Sequence, residues 1–118
     1  AEGTIITTSL DRDSTAVETQ DFITAFEAKS GNKTDMVAAS AHTAIKVLAA
    51  ALQSSGDTDR AALRDAIAGT QLTASTGDIS FNDLGEVQKS VQVQVVKDGQ
   101  WHHHSVIHDA ALLAPPTE

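Results

Sequence analysis

The stretch STGDISFNDLGEVQKSVQVQVVKDGQW, residues 75–101, decides the fold of this chain. Its polar tetrapeptides STGD and DLGE, each containing a glycine, predict two turns, and the segment ISFN between them predicts a short strand. The alternation of Val91, Val93 and Val95 with glutamines predicts a long strand with one buried face. Asp98 and Gly99 then form the centre of a hairpin turn, so WHHHSVI is expected to be the returning strand.

The residues before this stretch predict one strand followed by three helices. The β-branched run of residues 3–9 indicates the strand. Polar side chains and glycines mark the helix ends, including a capping-box spacing between Thr15 and Glu18 and stop signals at Gly31 and Gly69. The helices are expected over residues 15–30, 35–54 and 58–68, with N-terminal signals at Thr15, at Asp35, and at Asp57 or Thr58. The predicted class is α/β, with the order β-α-α-α-β-β-β.

The second predicted helix is unusually apolar. One face carries Val37, Ala41, Ala44, Ile45, Leu48 and Leu52. Alanine and valine cover most of the remaining surface. A helix that is apolar nearly all round is normally buried on several sides. This helix therefore needs more neighbours than 118 residues supply, which indicates that part of its packing partner lies elsewhere.

The composition excludes several functional classes. The net charge of −8 argues against nucleic acid as a partner, because binding phosphates requires clustered Lys and Arg. The absence of cysteine excludes disulfides, thiolate catalysis and Cys-based zinc sites. No segment is expected to approach the ~20 apolar residues of a membrane span. No cofactor-binding motif is found, since GNKTD lacks the spacing of a phosphate-binding loop.

The residues capable of catalysis or metal binding form no recognisable catalytic motif. Asp11 and Asp13 are two residues apart, a spacing expected by chance in an acidic chain. His102 and His104 would share one strand face and His103 the other. With Asp109 or His108 they could ligate zinc or nickel, but solvated strand residues are the favoured interpretation. His42, on the second helix, is expected to be satisfied by local hydrogen bonds, with contact to a ligand as the alternative.

The order of these motifs resembles the C-terminal stretch of type I periplasmic solute-binding proteins, especially the branched-chain amino-acid binding components of ABC transporters. The resemblance covers residues 2–107. It rests on a turn-strand-turn motif, a Lys-Asp-Gly-x-Trp hairpin and the aromatic helix around Phe22 and Phe26. The family's Tyr-Asp-Ala is here His42-Thr43-Ala44, and the family's usual Tyr is here Phe26. The motif positions are Thr76, Gly77, Ile79, Phe81 and Gly85, followed by Lys97, Asp98, Gly99 and Trp101.

The resemblance implies that the chain is a single partial domain, 1–118, of a two-lobed protein about three times longer. Residues 10–90 would supply helices and a short strand to the N-terminal lobe. Residues 1–9 and 91–108 would form hinge-crossing and C-terminal-lobe strands, and residues 109–118 would form a tail. The opening strand pair would thus belong to a sheet system whose other strands lie outside this chain.

The resemblance also implies a function: non-catalytic capture of an amino acid or a similar small polar solute by lobe closure, in the periplasm or outside the cell. The expected partners are that solute, the transporter's membrane permease, and the remainder of the parent chain or a second copy. No cofactor, metal, catalytic residue or nucleic acid is expected. Alternatives are a stand-alone, self-associating α/β interaction domain, a receptor's ligand-sensing domain, and a small enzyme or metal module using the histidines. The expected ligand-binding residues are Thr8, Ser9, Val37, Ser40 and Ala41.

Overall fold

The computed structural model describes residues 1–113 as four helices and six strands in two small antiparallel sheets. The order is β-α-α-α-β-β-β-β-β-α within those residues, so the predicted order lacks two strands and a final helical turn. The elements are β1 Ile5–Thr8, α1 Val17–Ser30, α2 Met36–Ser55, α3 Arg60–Ala68, β2 Leu72–Ala74, β3 Gly77–Phe81, β4 Val87–Gln88, β5 Val91–Lys97, β6 Gln100–Ile107 and α4 Ala110–Leu113. Residues 114–118 of the expected tail lie outside the described residues.

The first sheet has the order β1-β5-β6, with the predicted long strand at its centre. The hairpin between β5 and β6 turns at Asp98 and Gly99, whose φ angles are 51° and 73°. Two successive positive φ angles define the type I′ turn that matches the twist of paired strands. The structure therefore confirms the predicted hairpin.

A β-bulge in this sheet corrects the expected placement of the histidines. Val93 pairs with Ser105 and Gln94 pairs with His103, which leaves His104 as the extra residue. The bulge breaks the two-residue alternation that was expected to place His102 and His104 together. Instead, His102 and His103 bind neighbouring aspartates, whereas His104 contacts the adjacent Ser105.

The second sheet, β2-β3-β4, contains the two strands that the sequence did not predict. Strand β2 has three residues and β4 has two, too few to establish an alternation. The turn before β4 is organised by Asn82, whose side-chain oxygen accepts hydrogen bonds from the backbone N–H groups of Leu84 and Glu86 at 3.0 and 2.8 Å. The predicted strand in ISFN thus becomes the middle strand of a small sheet.

The helix ends agree only in part with the sequence signals. Asp35 caps α2 as predicted, accepting a hydrogen bond from the Ala38 N–H at 2.8 Å. Helix α1 begins after Ala16 without any side-chain cap, so the predicted capping box at Thr15 is wrong. The N-cap of α3 is Asp59, not Asp57 or Thr58.

Helix α2 buries a different stripe from its predicted apolar face. Its buried residues repeat every four positions and are small, namely Ala39, Thr43, Val47 and Ala51. By contrast, Val37 is 69% exposed and Ile45 is 65% exposed.

Helix α2 is also long and apolar enough to cross a membrane by length and composition alone, a test that the core helix of a soluble protein also passes. The expectation that no segment approaches such a span is therefore corrected.

Candidate functional site

The chain between β1 and α1 carries two of the predicted ligand-binding residues. Thr8 is buried, and its hydroxyl accepts a hydrogen bond from the Leu10 N–H at 3.2 Å. That contact holds the turn that leads Leu10 into the core beside Phe22 and Ala39. Ser9 is half-buried, and its hydroxyl oxygen accepts a hydrogen bond from the Lys89 ammonium. Thr8 therefore has a local structural contact, whereas Ser9 is directed to a charged group.

Lys89 is the functional candidate that the sequence analysis missed. It lies between β4 and β5, at the end of the sheet where Ser9 leaves β1, since Thr8 pairs with Gln92. Burial lowers the pKa of its ammonium group. Among residues 1–113, no carboxylate lies within ion-pair distance of Lys89. The sequence contains one indication of its importance, since Lys89 is the only basic residue between Arg64 and Lys97.

An apolar groove of about 390 Å³ lies between α2, α3 and the second sheet, and Lys89 is part of its lining. The predicted residue Ser40 also lines this groove. The other two predicted residues on α2, Val37 and Ala41, are exposed and do not line it. The lining is Ser40, Thr43, Ala44, Val47, Leu48, Ile67, Thr76, Ile79, Phe81, Val87 and Lys89.

His42 is held within the fold, as predicted. Its ring stacks on Phe22 with centroids 4.5 Å apart, and its Nδ1 is 2.9 Å from the Ser75 hydroxyl. Ser75 is 1% exposed and donates to the Ala39 carbonyl at 3.1 Å. Burial, and to a smaller extent the nearby charge of Lys46, lowers the pKa of His42. These contacts confirm the expectation that local hydrogen bonds satisfy this histidine.

The two aspartates after β1 are paired with histidines of β6, so their spacing has a structural role. Asp11 Oδ2 lies 2.7 Å from His103 Nδ1, and Asp13 Oδ2 lies 3.1 Å from His102 Nδ1. The backbone N–H of His103 also donates to Asp13 at 2.9 Å and is the main cause of the lowered pKa of Asp13. The described residues contain no group of three His, Asp or Glu able to hold a metal ion.

Arg12 completes this attachment of the loop. Its Nη1 donates to the fully buried Gln94 side chain at 3.1 Å, and its Nε and Nη2 donate to the Thr34 carbonyl at 3.3 and 3.1 Å. The loop is therefore tied both to the central strand of the first sheet and to the connection between α1 and α2. Such an arrangement positions these chain segments relative to one another.

Comparison with known proteins identifies this architecture. The sequence profile of the family described as periplasmic binding protein matches residues 1–100. A leucine-binding protein from Thermotoga maritima is 27% identical, with a TM-score of 0.80 over 90% of this chain and 31% of that one. An ABC transporter substrate-binding protein from Desulfitobacterium hafniense, in complex with Leu, is 26% identical, with a TM-score of 0.80 over 88% of this chain and 32% of that one.

A third solved structure shares the fold at a lower sequence identity. An ABC transporter solute-binding protein from R. palustris, in complex with benzoate, is 20% identical, with a TM-score of 0.81 over 93% of this chain and 32% of that one. The predicted α/β part of a type I periplasmic-binding-protein fold is thereby confirmed. The search of curated proteins gave no match.

The family and these structural neighbours are non-catalytic solute-binding proteins, in agreement with the expectation that the chain is not an enzyme. The matched segment includes Ser9, Lys89, all of α1 to α3 and the second sheet. The chain spans about a third of the length of the solved structures that it matches. Because the family profile covers residues 1–100 of its 118, this chain belongs to the periplasmic binding protein family.

Proposed function

We propose that this chain is the C-terminal third of the substrate-binding protein of an ABC transporter, and that this longer protein, the parent protein, captures an amino acid or a similar small solute between two lobes. The observation that carries the proposal is the family match over residues 1–100 together with the 27% identity to a leucine-binding protein. A partial chain of such a protein would also account for coverage of only about a third of each relative.

The proposed arrangement assigns each part of the chain to a lobe. Residues 10–90 belong to the N-terminal lobe. Residues 1–9 and 91–108 form hinge crossings and strands of the C-terminal lobe, and residues 109–118 are a tail. Capture of a solute by closing two lobes around a hinge requires that these crossings stay ordered. The contacts of Arg12, Asp11 and Asp13 with β5 and β6 support this role for the crossing segments.

The cellular setting of the proposal follows from the family. The parent protein is located in the periplasm or outside the cell and delivers its solute to a membrane permease. The similarity to leucine-binding relatives favours a branched-chain amino acid as the solute. The same fold holds benzoate in the R. palustris protein, so the fold by itself does not select amino acids. A receptor's ligand-sensing domain would use the same binding chemistry without a permease.

Calorimetric titration of the parent protein with L-leucine, L-isoleucine, L-valine and benzoate tests the proposal. We expect at least one amino acid to bind with a Kd of about 1 μM or lower, which corresponds to about −8 kcal/mol. D-leucine is the matched control, because it has the same composition and charge but the opposite configuration. Binding of benzoate alone would contradict the amino-acid assignment, and absence of binding to all four would contradict solute capture of this class.

One observation favours a second candidate, self-association of this chain. Both outer strands of the first sheet, β1 and β6, have an unpaired edge among the described residues. Unpaired edges promote strand exchange or pairing with a second copy. The solution mass of the chain separates the two candidates, since a stable dimer of 118-residue chains without any larger polypeptide favours self-association.

A further inference from the structure

Two histidine–aspartate pairs join the loop after β1 to strand β6. His103 Nδ1 lies 2.7 Å from Asp11 Oδ2, and His102 Nδ1 lies 3.1 Å from Asp13 Oδ2. The Asp13 carboxylate also accepts the backbone N–H of His103 at 2.9 Å. We refer to these two pairs as the histidine–aspartate clamp. Histidine is the side-chain type that changes its charge between pH 5 and 8, so the attraction within the clamp depends on pH in that range.

Under the proposed function, the clamp joins segments that belong to different lobes. Asp11 and Asp13 lie in segment 10–90, whereas His102 and His103 lie in segment 91–108. The paired residues are 92 and 89 positions apart in the sequence. Segments on the two sides of a hinge change their relative position when the lobes move. The strength of the clamp therefore affects how firmly the two sides of the hinge are held together.

The two pairs of the clamp differ in their exposure to solvent. The side chain of Asp11 is 10% exposed, and its other carboxylate oxygen lies 3.5 Å from the amide nitrogen of the fully buried Gln94. Both side chains of the other pair, His102 and Asp13, are 42% exposed. Solvent and salt weaken an exposed ion pair more than a partly buried one. The pair of Asp11 with His103 should therefore contribute more of the pH dependence.

Within residues 1–113, the other charged side chains near the clamp are Arg12, Glu27 and Lys33. Arg12 donates to the Thr34 carbonyl and to the side chain of Gln94. Glu27 and Lys33 share a hollow of about 520 Å³ with one pair of the clamp and form an ion pair with each other at 3.1 Å. The β5 residues that pair with the two histidines are uncharged. Side chains of the Arg, Lys and Glu types do not ordinarily titrate between pH 5 and 8.

We propose that the histidine–aspartate clamp is a pH-sensitive device at the hinge, which holds the crossing segments most firmly when its histidines are protonated and thereby strengthens solute capture under mildly acidic conditions. This inference rests on the proposed function and adds a regulation to it. A protonated imidazole and an ionised carboxylate attract each other, whereas a neutral imidazole keeps only a hydrogen bond. A hinge that is already ordered loses less conformational entropy when the lobes close.

The carboxylates set the acid limit of this device. The pKa of Asp13 is lower than its ordinary value of 3.8, chiefly because the backbone N–H of His103 donates to it. Asp13 is therefore ionised throughout the range in which histidine gains its charge. The clamp should be strongest near about pH 5 to 6 and should weaken as the pH rises toward 8. It should also weaken as the pH falls through the lowered pKa of Asp13.

The test uses the parent protein, the double variant His102→Asn/His103→Asn and the control His104→Asn. Asn keeps a neutral donor near the position of Nδ1 but cannot titrate. His104 is the matched control, because it lies on the same strand but contacts the Ser105 hydroxyl instead of a carboxylate. Each protein is titrated at pH 6 and pH 8 with whichever of L-leucine, L-isoleucine, L-valine and benzoate the wild type binds most tightly.

We expect the wild type and the control variant to gain about threefold more affinity than the double variant when the pH is lowered from 8 to 6. The factor is modest because one pair is largely exposed. Raising the salt concentration to about 1 M should reduce the difference between wild type and double variant, because ions screen exposed charges. Effects of pH on the solute itself are the same for all three proteins and cancel in the comparison.

Hydrogen exchange of the His103 backbone N–H provides a second measurement that requires no solute. This N–H donates to Asp13, so its protection reports on the clamp. Its protection factor in the wild type, relative to those of the β5 amides, should rise when the pH is lowered from 8 to 6. A relative protection that does not change with pH overturns the inference, even if the double variant does not fold.

The outcomes separate this inference from the proposed function. Equal pH dependence of solute affinity in the wild type and a folded double variant overturns the inference and leaves solute capture intact. A wild type that binds none of the four solutes overturns the proposed function and the coupling of the clamp to it. In that case hydrogen exchange still shows whether the clamp itself responds to pH.

Discussion

Ser75 connects its own segment with two helices, with α2 through its hydroxyl and with α1 through its backbone carbonyl. Its hydroxyl contacts the carbonyl of Ala39, Nδ1 of His42 and the hydroxyl of Thr43, at 3.1, 2.9 and 3.3 Å. Its own carbonyl accepts from Thr19 of α1 at 3.3 Å. A buried hydroxyl is expensive to remove when its partners lose a hydrogen bond inside the fold. The junction of α1, α2 and β2 therefore depends on this residue.

We predict that Ser75→Ala lowers the free energy of unfolding of the parent protein by about 1–3 kcal/mol. The cause is the loss of the hydrogen bonds that the Ser75 hydroxyl makes with His42 Nδ1 and with the Ala39 carbonyl. Chemical denaturation measures the change. Ser54→Ala is the control, since Ser54 is an exposed serine near the end of α2 and should change stability by less than about 0.5 kcal/mol. An effect of Ser75→Ala as small as that of the control would show that the hydroxyl is dispensable.

His42 should make the stability of the fold depend on pH. Its pKa in the fold is lower than its ordinary value of 6.5, chiefly because of burial. Between the lowered pKa and pH 6.5, the unfolded chain therefore binds more protons than the folded chain. The free energy of unfolding increases with pH in that interval. The contribution of His42 is fully present above pH 6.5 and is lost as the pH falls through the lowered pKa. Thermal denaturation between about pH 7.5 and 5 should therefore show a falling Tm.

The variant His42→Asn isolates this contribution. Asn keeps a polar group near the Ser75 hydroxyl but cannot titrate, so the variant should be less stable near neutral pH and should lose less Tm on acidification than the wild type. His102 and His103 are unchanged in both proteins, so the difference between the two profiles reports on His42. Parallel profiles for wild type and variant would show that protonation of His42 does not couple to folding.

Helix α2 carries large apolar side chains that the described structure leaves exposed. Its buried stripe consists of small residues packed on α3, β2 and the core, while Ile45, Leu48 and Leu52 are 65%, 40% and 40% exposed. Large apolar residues that repeat along one helix face normally lie against another element. Residues 1–113 leave these three side chains at least 40% exposed, so no described element covers them. The larger side chains of α2 are therefore suited to a surface that the rest of the parent protein supplies.

We predict that Ile45→Glu changes the stability of the isolated chain very little but strongly destabilises the parent protein. In the isolated chain the residue is already exposed, so stability should change by less than about 0.5 kcal/mol and solubility should increase. In the parent protein the charge would be buried without a partner, so stability should fall by several kcal/mol. Thr24→Glu, on the exposed side of α1, is the control and should be tolerated in both.

Denaturation midpoints of the four variant proteins provide the measurement. If Ile45→Glu is tolerated in the parent protein as well as in the isolated chain, the exposed face of α2 is not covered by the rest of the protein. Solvent would then be its natural environment, and the apolar pattern of the helix would have no packing explanation.

The elements also show why the sequence predicted some features and not others. Patterns with a strong local cause predicted the long strand β5, the Asp98-Gly99 turn and the Asp35 cap correctly. The expectation that β5 buries only one face is wrong, because Gln94 is fully buried between the buried valines of the other face. Short strands such as β4 were missed, because two residues cannot display an alternation and their pairing depends on β3. The bulge at His104 interrupted the alternation that was expected to place His102 and His104 on one face of the strand. Lys89 was missed because its importance depends on burial and on the lack of a nearby carboxylate, which a sequence pattern does not encode.

The whole molecule has the proportions of an incomplete unit. Its extents are 49 × 42 × 19 Å and its radius of gyration is 15.9 Å, whereas a compact 118-residue domain would have about 13.5 Å. Its accessible surface is 7845 Å², against about 6,100 Å² for a compact protein of this mass. The surplus surface includes the exposed face of α2 and the unpaired edges of the first sheet. Both observations agree with a chain that spans about a third of its solved relatives.

An incomplete cleft should bind its solute far more weakly than a complete one. Under the proposed function, a solute would contact only the part of the cleft that this chain supplies, because the chain spans about a third of its solved relatives. Burying only part of a small ligand leaves too little interaction to offset the lost translational and rotational freedom. We therefore expect the isolated 118-residue chain to show no heat above dilution when titrated with L-leucine, while the parent protein binds with a Kd of about 1 μM or lower.

Native mass spectrometry of the isolated chain accompanies this titration, because a dimer could build a complete cleft from two copies. A monomer without binding supports the partial-cleft explanation. Micromolar binding by the monomer would contradict it, since the 118 residues would then contain a sufficient site. Micromolar binding by a dimer would instead show that a second copy replaces the missing walls, and would favour the self-associating alternative.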